Sequence, residues 1–107
     1  MVKQGDIIKL NFGPTKGHEQ SGYRPALVIS NNFFNKLSGI RILCPITNTD
    51  NSYPLHIGLD ERTKTTGFIL CEQVKAVDIS AREHIYVEKV PKDILETVIN
   101  TVFAEIE

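Results

Sequence analysis

No stretch of this 107-residue chain is apolar over the roughly 18 residues that a membrane-spanning helix requires, so a transmembrane reading is excluded. The opening Met1-Val2-Lys3-Gln4-Gly5-Asp6 turns polar at once and lacks the apolar core of a secretory signal, which makes the cytoplasm the expected location. Cysteine is scarce. Cys44 and Cys71 are the only two, each inside an apolar run, and in reducing surroundings they are expected as buried thiols rather than a disulfide. With them, three scattered histidines, His18, His56 and His84, make no metal-ligand spacing, so no metal or cofactor is expected. A net charge of −1 and a pI near 6.3 lack the basic excess typical of nucleic-acid binders. There is no internal repeat, linker or low-complexity tract. A chain this short has room for one domain, 1–107, with limited burial, so self-association would help it.

The charge that is present is unevenly spread. Residues 1–41 carry six basic side chains (Lys3, Lys9, Lys16, Arg24, Lys36, Arg41) against two acidic ones (Asp6, Glu19). Residues 83–107 reverse the ratio, with Lys89 and Lys92 against Glu83, Glu88, Asp93, Glu96, Glu105 and Glu107. An electropositive end that attracts phosphate is the implied consequence.

Periodicity gives many short strands. Ile8, Leu10 and Phe12 alternate before Gly13-Pro14; Ala26-Leu27-Val28-Ile29-Ser30 is a continuous core run; Ile40, Ile42, Cys44 and Ile46 alternate again. Asn31-Asn32-Phe33-Phe34-Asn35 reads as a polar loop with turn chemistry, and Thr47 to Ser52 as a second loop. Leu55, Ile57 and Leu59, then Gly67 to Cys71, Val74 to Ile79 and Ile85 to Val90 supply further strands. After Pro91, Ile94, Leu95, Val98, Ile99, Val102, Phe103 and Ile106 recur at helical spacing, predicting an amphipathic helix that covers a sheet. The fold class is mainly β, a small curled antiparallel barrel with a carboxy-terminal helix.

One segment exceeds what strand joining needs. Pro14-Thr15-Lys16-Gly17-His18-Glu19-Gln20-Ser21-Gly22-Tyr23-Arg24-Pro25 is longer than the two to five residues of an ordinary hairpin loop and is crowded with functional side chains. With Gly5 to Pro14 before it, Leu43-Cys44-Pro45-Ile46-Thr47, Tyr53-Pro54 and Glu72-Gln73-Val74-Lys75 after it, and the terminal helix, this pattern closely resembles the MazF/PemK (Kid) toxins of bacterial toxin–antitoxin modules over essentially the whole chain. The resemblance implies an SH3-like, CcdB-like barrel, a homodimer with grooves near the subunit interface, and a sequence-specific, metal-independent endoribonuclease. Its substrate would be single-stranded RNA, chiefly mRNA, cut to 2′,3′-cyclic phosphate and 5′-hydroxyl ends. It also implies a cognate antitoxin, MazE-like, with an acidic tail.

Such cleavage needs a base for the 2′-hydroxyl, a stabiliser for the crowded phosphate and an acid for the leaving oxygen. Arg24 suits the second task, since its planar fork donates two hydrogen bonds and stays charged; by composition alone it could equally be a surface arginine. The resemblance makes Arg24 the catalytic arginine and matches Thr47 to the family's second catalytic position. Glu19 and Gln20 match its Glu-Gln pair, where Glu19 could act as base, hold the arginine or meet a base edge. Lys16, His18, Gln20, Tyr23 and Lys75 are the candidate RNA-binding residues, although His18 and Tyr23 stand where relatives vary and Lys75 could be a solvated strand lysine. His56 is expected to face outward, and His84 lies far from the motif. Phe33 and Phe34 could stack on bases or pack into the core. A CcdB-like gyrase poison is a rival reading, but those toxins resemble one another in a carboxy-terminal tryptophan, and this chain has none. A non-catalytic RNA-binding module of the same fold is the third.

Overall fold

The computed structural model describes residues 1–11, 23–49 and 54–107. The Phe12 end of the first predicted strand, and Lys16, His18, Glu19, Gln20 and Tyr53, lie outside the described residues. The chain runs through β1 (Asp6–Asn11), β2 (Tyr23–Val28), a short helix α1 (Asn32–Leu37), β3 (Ile40–Thr47), β4 (His56–Gly58), β5 (Phe68–Leu70), β6 (Lys75–Asp78), β7 (His84–Lys89) and the long helix α2 (Lys92–Ile106). One seven-stranded sheet follows the order β4-β5-β3-β2-β1-β7, with β6 also paired to β3. All described pairings are antiparallel, and β4 and β7 are left as the sheet's ends rather than paired to close it.

The bend in β3 makes this topology possible. Its first half pairs with β6 (Ile40↔Asp78 to Leu43↔Lys75) and its last two residues with β5 (Ile46↔Ile69, Thr47↔Phe68), while its other edge holds β2. The sheet curls enough to bury both faces. Against α2 lie Ile7, Leu27, Cys44, Ile46, Ile69 and Cys71, sealed by Ile94, Val98 and Val102. On the reverse lie Ile8, Leu10, Ala26, Val28, Leu43, Val77 and Ile79. Two-sided burial explains why Ile7-Ile8, Ala26-Leu27-Val28 and Leu43-Cys44 are continuous apolar pairs and runs rather than strict alternations.

Three expectations change. Asn31 to Leu37 is not a loop: Asn31 caps α1, its side-chain oxygen accepting from the Phe34 amide at 2.8 Å, and Asn35 is buried with its amide on the Ser30 carbonyl. Phe33 stands 75% exposed and does not pack into the core. Arg41, counted above towards an electropositive end, is buried, its guanidinium donating to the carbonyls of Val2 (3.1 Å), Ser38 (2.8 Å) and Ile40 (3.0 Å). The helix is as its spacing predicts, but its last turn runs past the sheet, leaving Phe103 and Ile106 exposed beside a groove of about 480 Å³ that Phe34, Ile42 and Val74 also line. No described helix is long and apolar enough to cross a membrane.

Candidate active site

Arg24 is the second residue of β2, held extended by Pro25, whose ring excludes the helical conformation from the residue before it. In the ladder with β1 it pairs with Leu10. In the ladder with β3 the partners are Ala26↔Pro45, Leu27↔Cys44 and Val28↔Leu43. Extended two residues past its last pair, that register would bring Arg24 level with Thr47, the last residue of β3, whose other edge pairs with Phe68. Directly opposed residues on antiparallel strands share a face, with Cβ atoms about 4.5 to 5.5 Å apart. That face is the one turned away from α2, because Leu43, two rungs from Pro45, belongs to the reverse cluster. Leu43 also pairs with Lys75, so Lys75 joins the same face, about 13 Å from Thr47 at the rise of four strand residues. Arg24 and Lys75 are exposed and Thr47 half-buried.

Thr47 is held from two sides. Its hydroxyl oxygen accepts the Thr49 amide at 3.2 Å, which leaves the hydroxyl proton available for donation. Its carbonyl lies against Gly67, whose φ is +119°; a Cβ there would sit 2.3 Å from the Thr47 oxygen. Only glycine admits both the backbone angle and the approach. Next to it, the Thr66 hydroxyl meets Asn48 Oδ1 at 2.9 Å. Gly67 was passed over in the sequence as a strand boundary, and nothing in its neighbourhood there announces the contact.

Tyr23 goes elsewhere. One residue before Arg24, it faces the opposite side of the strand, and its hydroxyl donates to Glu83, a bond that pushes the phenol above its ordinary pKa. Tyr23 pairs with Asn11, whose carbonyl accepts from Arg82 Nη1 at 3.0 Å. Arg82 and Glu83 thereby fasten the two strand ends from which residues 12–22 depart and return. Sequence reasoning missed both, since an Arg-Glu pair in a polar turn carries no signal of its own. His84, set aside for its distance along the chain, pairs with Leu10 across β1 and so lies in the Arg24 row, about 10 Å away at two strand spacings. His56 does not face outward: its side chain is 4% exposed and its Nε2 lies 3.0 Å from Glu72 Oε2. Of the predicted set, Arg24, Thr47 and Lys75 share one face of the sheet; Lys16, His18, Glu19 and Gln20 are outside the described residues.

A family model described as PemK-like, MazF-like toxin of type II toxin–antitoxin systems matches residues 3–104. The chain belongs to this family. Endoribonuclease PemK of Escherichia coli is 31% identical over 102 residues, covering 92% of this chain and 77% of PemK. Endoribonuclease toxin ChpB of Escherichia coli K12 is 41% identical over 88 residues, covering 75% and 72%. Among solved structures, a MazE–MazF crystal structure from Deinococcus radiodurans superposes with a TM-score of 0.89 at 30% identity, covering 98% of this chain and 95% of that one. In this MazF-like toxin the family pattern thus coincides with a structural arrangement: the Arg-Pro pair lies near the start of β2, the threonine closes β3, and the two strands are antiparallel neighbours.

Proposed function

We propose that this toxin is an endoribonuclease that cuts single-stranded RNA, mRNA above all, at specific sequences and without a metal ion, leaving 2′,3′-cyclic phosphate and 5′-hydroxyl ends. The observation that carries the reading is that Arg24 near the start of β2 and Thr47 at the end of β3 lie on the same face of neighbouring antiparallel strands. In the reaction the 2′-oxygen attacks the adjacent phosphorus, the bond from phosphorus to the 5′-oxygen breaks, and negative charge gathers on the non-bridging oxygens. Arg24 meets that charge with a two-pronged donor, and the Thr47 hydroxyl adds a third hydrogen bond. Glu19 and Gln20 belong to the segment whose anchors, Asn11 and Tyr23, flank Arg24; Glu19 would take the 2′-proton or orient the guanidinium. Lys75, about 13 Å along the face, is placed for a neighbouring nucleotide rather than the scissile one. Lys16, His18 and Gln20 complete the RNA contacts, whereas Tyr23, expected among them, is turned to Glu83 on the other side of the strand.

The MazE–MazF structures among its relatives support a further part of the reading, that the toxin acts as a homodimer and is silenced by a cognate antitoxin with an acidic tail. The exposed Phe103 and Ile106 beside the groove at the end of α2 suit a subunit contact.

The test is incubation of purified protein with a long synthetic RNA in EDTA, followed by sequencing of fragment ends and assay for cyclic phosphate. Discrete cuts at a short shared sequence, reduced about 100-fold or more by Arg24→Ala and by Thr47→Ala in folded protein, are expected. Intact RNA from the folded wild type would overturn the reading and favour the gyrase-directed or non-catalytic alternatives.

A further inference from the structure

The cleavage chemistry makes no use of Cys44 and Cys71, yet the fold sets them side by side. β3 and β5 pair as Ile46↔Ile69, and the same register continued two residues places Cys44 opposite Cys71. Cys71 opens a 3-10 turn (Cys71–Gln73) directly after β5, and its amide still bonds the Leu55 carbonyl at 3.4 Å, one rung beyond the His56↔Leu70 pair of β4 and β5. Both side chains belong to the cluster under α2 and both are free thiols. Directly opposed antiparallel residues have Cα separations of about 4.5 to 5.5 Å, inside the 4.4 to 6.8 Å that a disulfide spans. Two cysteines placed by accident in a core seldom meet this condition.

We propose that Cys44 and Cys71 are a peroxide-oxidisable dithiol that closes to a disulfide within one chain, stitching β3 to the end of β5. Hydrogen peroxide is the oxidant. The Cys71 sulfur attacks one peroxide oxygen and the O–O bond breaks, giving a sulfenic acid and, after protonation, water. The Cys44 sulfur then displaces the sulfenic oxygen, which leaves as a second water. Two electrons pass from the two sulfurs to the peroxide.

The order of attack follows from the surroundings. The Cys44 thiol donates towards Cys71 and is pushed up, whereas receiving that hydrogen bond holds Cys71 below the usual thiol range, which makes Cys71 the sulfur with thiolate character. Core thiols are ordinarily inert because oxidants cannot reach them. Here an open recess of about 640 Å³ between α2 and the start of β4, lined by Leu55, Thr101 and Glu105, ends at the residue that bonds the Cys71 amide. Leu55 is the residue that separates this recess from the Cys71 amide.

The folded toxin is treated with hydrogen peroxide, its remaining thiols are blocked after denaturation, and the peptides are mapped without reductant. The expected result is loss of both alkylatable thiols in a chain that stays unlinked to others, a peptide pair joining Cys44 to Cys71, and full recovery with dithiothreitol. Cys44→Ser is expected to stop at an oxidised, unlinked Cys71. Two intact thiols after treatment, a stop at sulfenic or sulfinic acid in the wild type, or links between chains would each overturn the proposal. The readout is chemical, so it stands or falls separately from the proposed RNA cleavage.

Discussion

Arg41 and Arg24 are both arginines of the basic first third, and the fold gives them opposite work, which a single pair of substitutions separates. Arg41 is 4% exposed and donates three hydrogen bonds, joining the amino-terminal segment at Val2 to the end of α1 at Ser38 and the start of β3 at Ile40. Burial lowers its pKa from the ordinary arginine value, but not to where it would lose its charge. Hydrogen bonds to a charged group contribute about 1.5 to 3 kcal/mol each, so three sum to about 4 to 9 kcal/mol, against a desolvation cost of several kcal/mol. Set against the middle of that range, a desolvation cost of about 4 kcal/mol leaves a balance of about 2 to 3 kcal/mol. Arg41→Met keeps the stem, removes all three donors and leaves three carbonyls to find water. At about 4 to 8 °C per kcal/mol for a domain near this size, the melting midpoint should fall by about 10 to 20 °C, measured at one fixed protein concentration because association would shift it. Arg41→Lys should recover less than half of the loss, since one ammonium cannot follow the fork. Arg24→Ala, at an exposed position, should leave the midpoint unchanged while abolishing cleavage. A midpoint for Arg41→Met within about 3 °C of wild type, less than the shift of a single kcal/mol, would refute the argument and return Arg41 to the surface charge.

Further outcomes follow from single contacts. Gly67→Ala should cost about 2 kcal/mol or more, because its Cβ meets the Thr47 carbonyl at 2.3 Å in a left-handed backbone; cleavage per folded molecule should drop as well, read by RNA assays at a temperature where the variant is still folded. Asn31→Ala removes the α1 cap and should lower stability by about 1 kcal/mol in urea denaturation. Burial pushes the Glu88 carboxyl up, but the amides of Thr65 and Lys64 and the Thr65 hydroxyl outweigh it and hold the pKa below the ordinary range. A depressed carboxylate stabilises above its unfolded pKa and loses that contribution as pH falls through its folded one, so the stability gap between wild type and Glu88→Gln should be full at neutral pH and vanish in acid. Tyr23→Phe, which loses only the bond to Glu83, should cut RNA within a few-fold of wild type.

Periodicity exposed α2 because seven apolar positions at helical spacing have no other economical reading, and the strands because their runs are short and bounded by turn residues. It failed where a local hydrogen bond decides. At Asn31 to Leu37 the same asparagines that signal a turn also cap a helix, and only the Ser30–Asn35 contact shows which of the two the chain takes. His56 read as outward-facing because its neighbours Leu55 and Ile57 are apolar; the side chain is instead covered through Glu72, sixteen residues on. Arg41 read as surface charge because residue type alone cannot reveal three converging carbonyls. The site divides the same way. Arg24 and Thr47 are candidates by their places in a pattern, whereas Gly67, Arg82 and Glu83 are tied to the neighbouring strand ends through contacts that no spacing encodes.

The two-sided sheet explains why this family pattern needs so few residues. A strand that buries both faces cannot also carry polar chemistry in its middle, so functional side chains are restricted to strand ends, where the cluster on the reverse face runs out. Arg24 lies near the start of β2 and Thr47 closes β3. Because neighbouring antiparallel strands run opposite ways, the start of one and the end of the next lie at one edge, and a register fixed by Leu27 against Cys44 and Val28 against Leu43 fixes the face that Arg24 and Thr47 share. A one-residue slip would turn Leu27 out of the helix-side core and carry Arg24 to the wrong face. Core packing and site geometry are therefore one constraint, and a variant that loosens the Leu27–Cys44 rung, Leu27→Ala for instance, should lose cleavage at temperatures where its circular dichroism still reports a folded sheet.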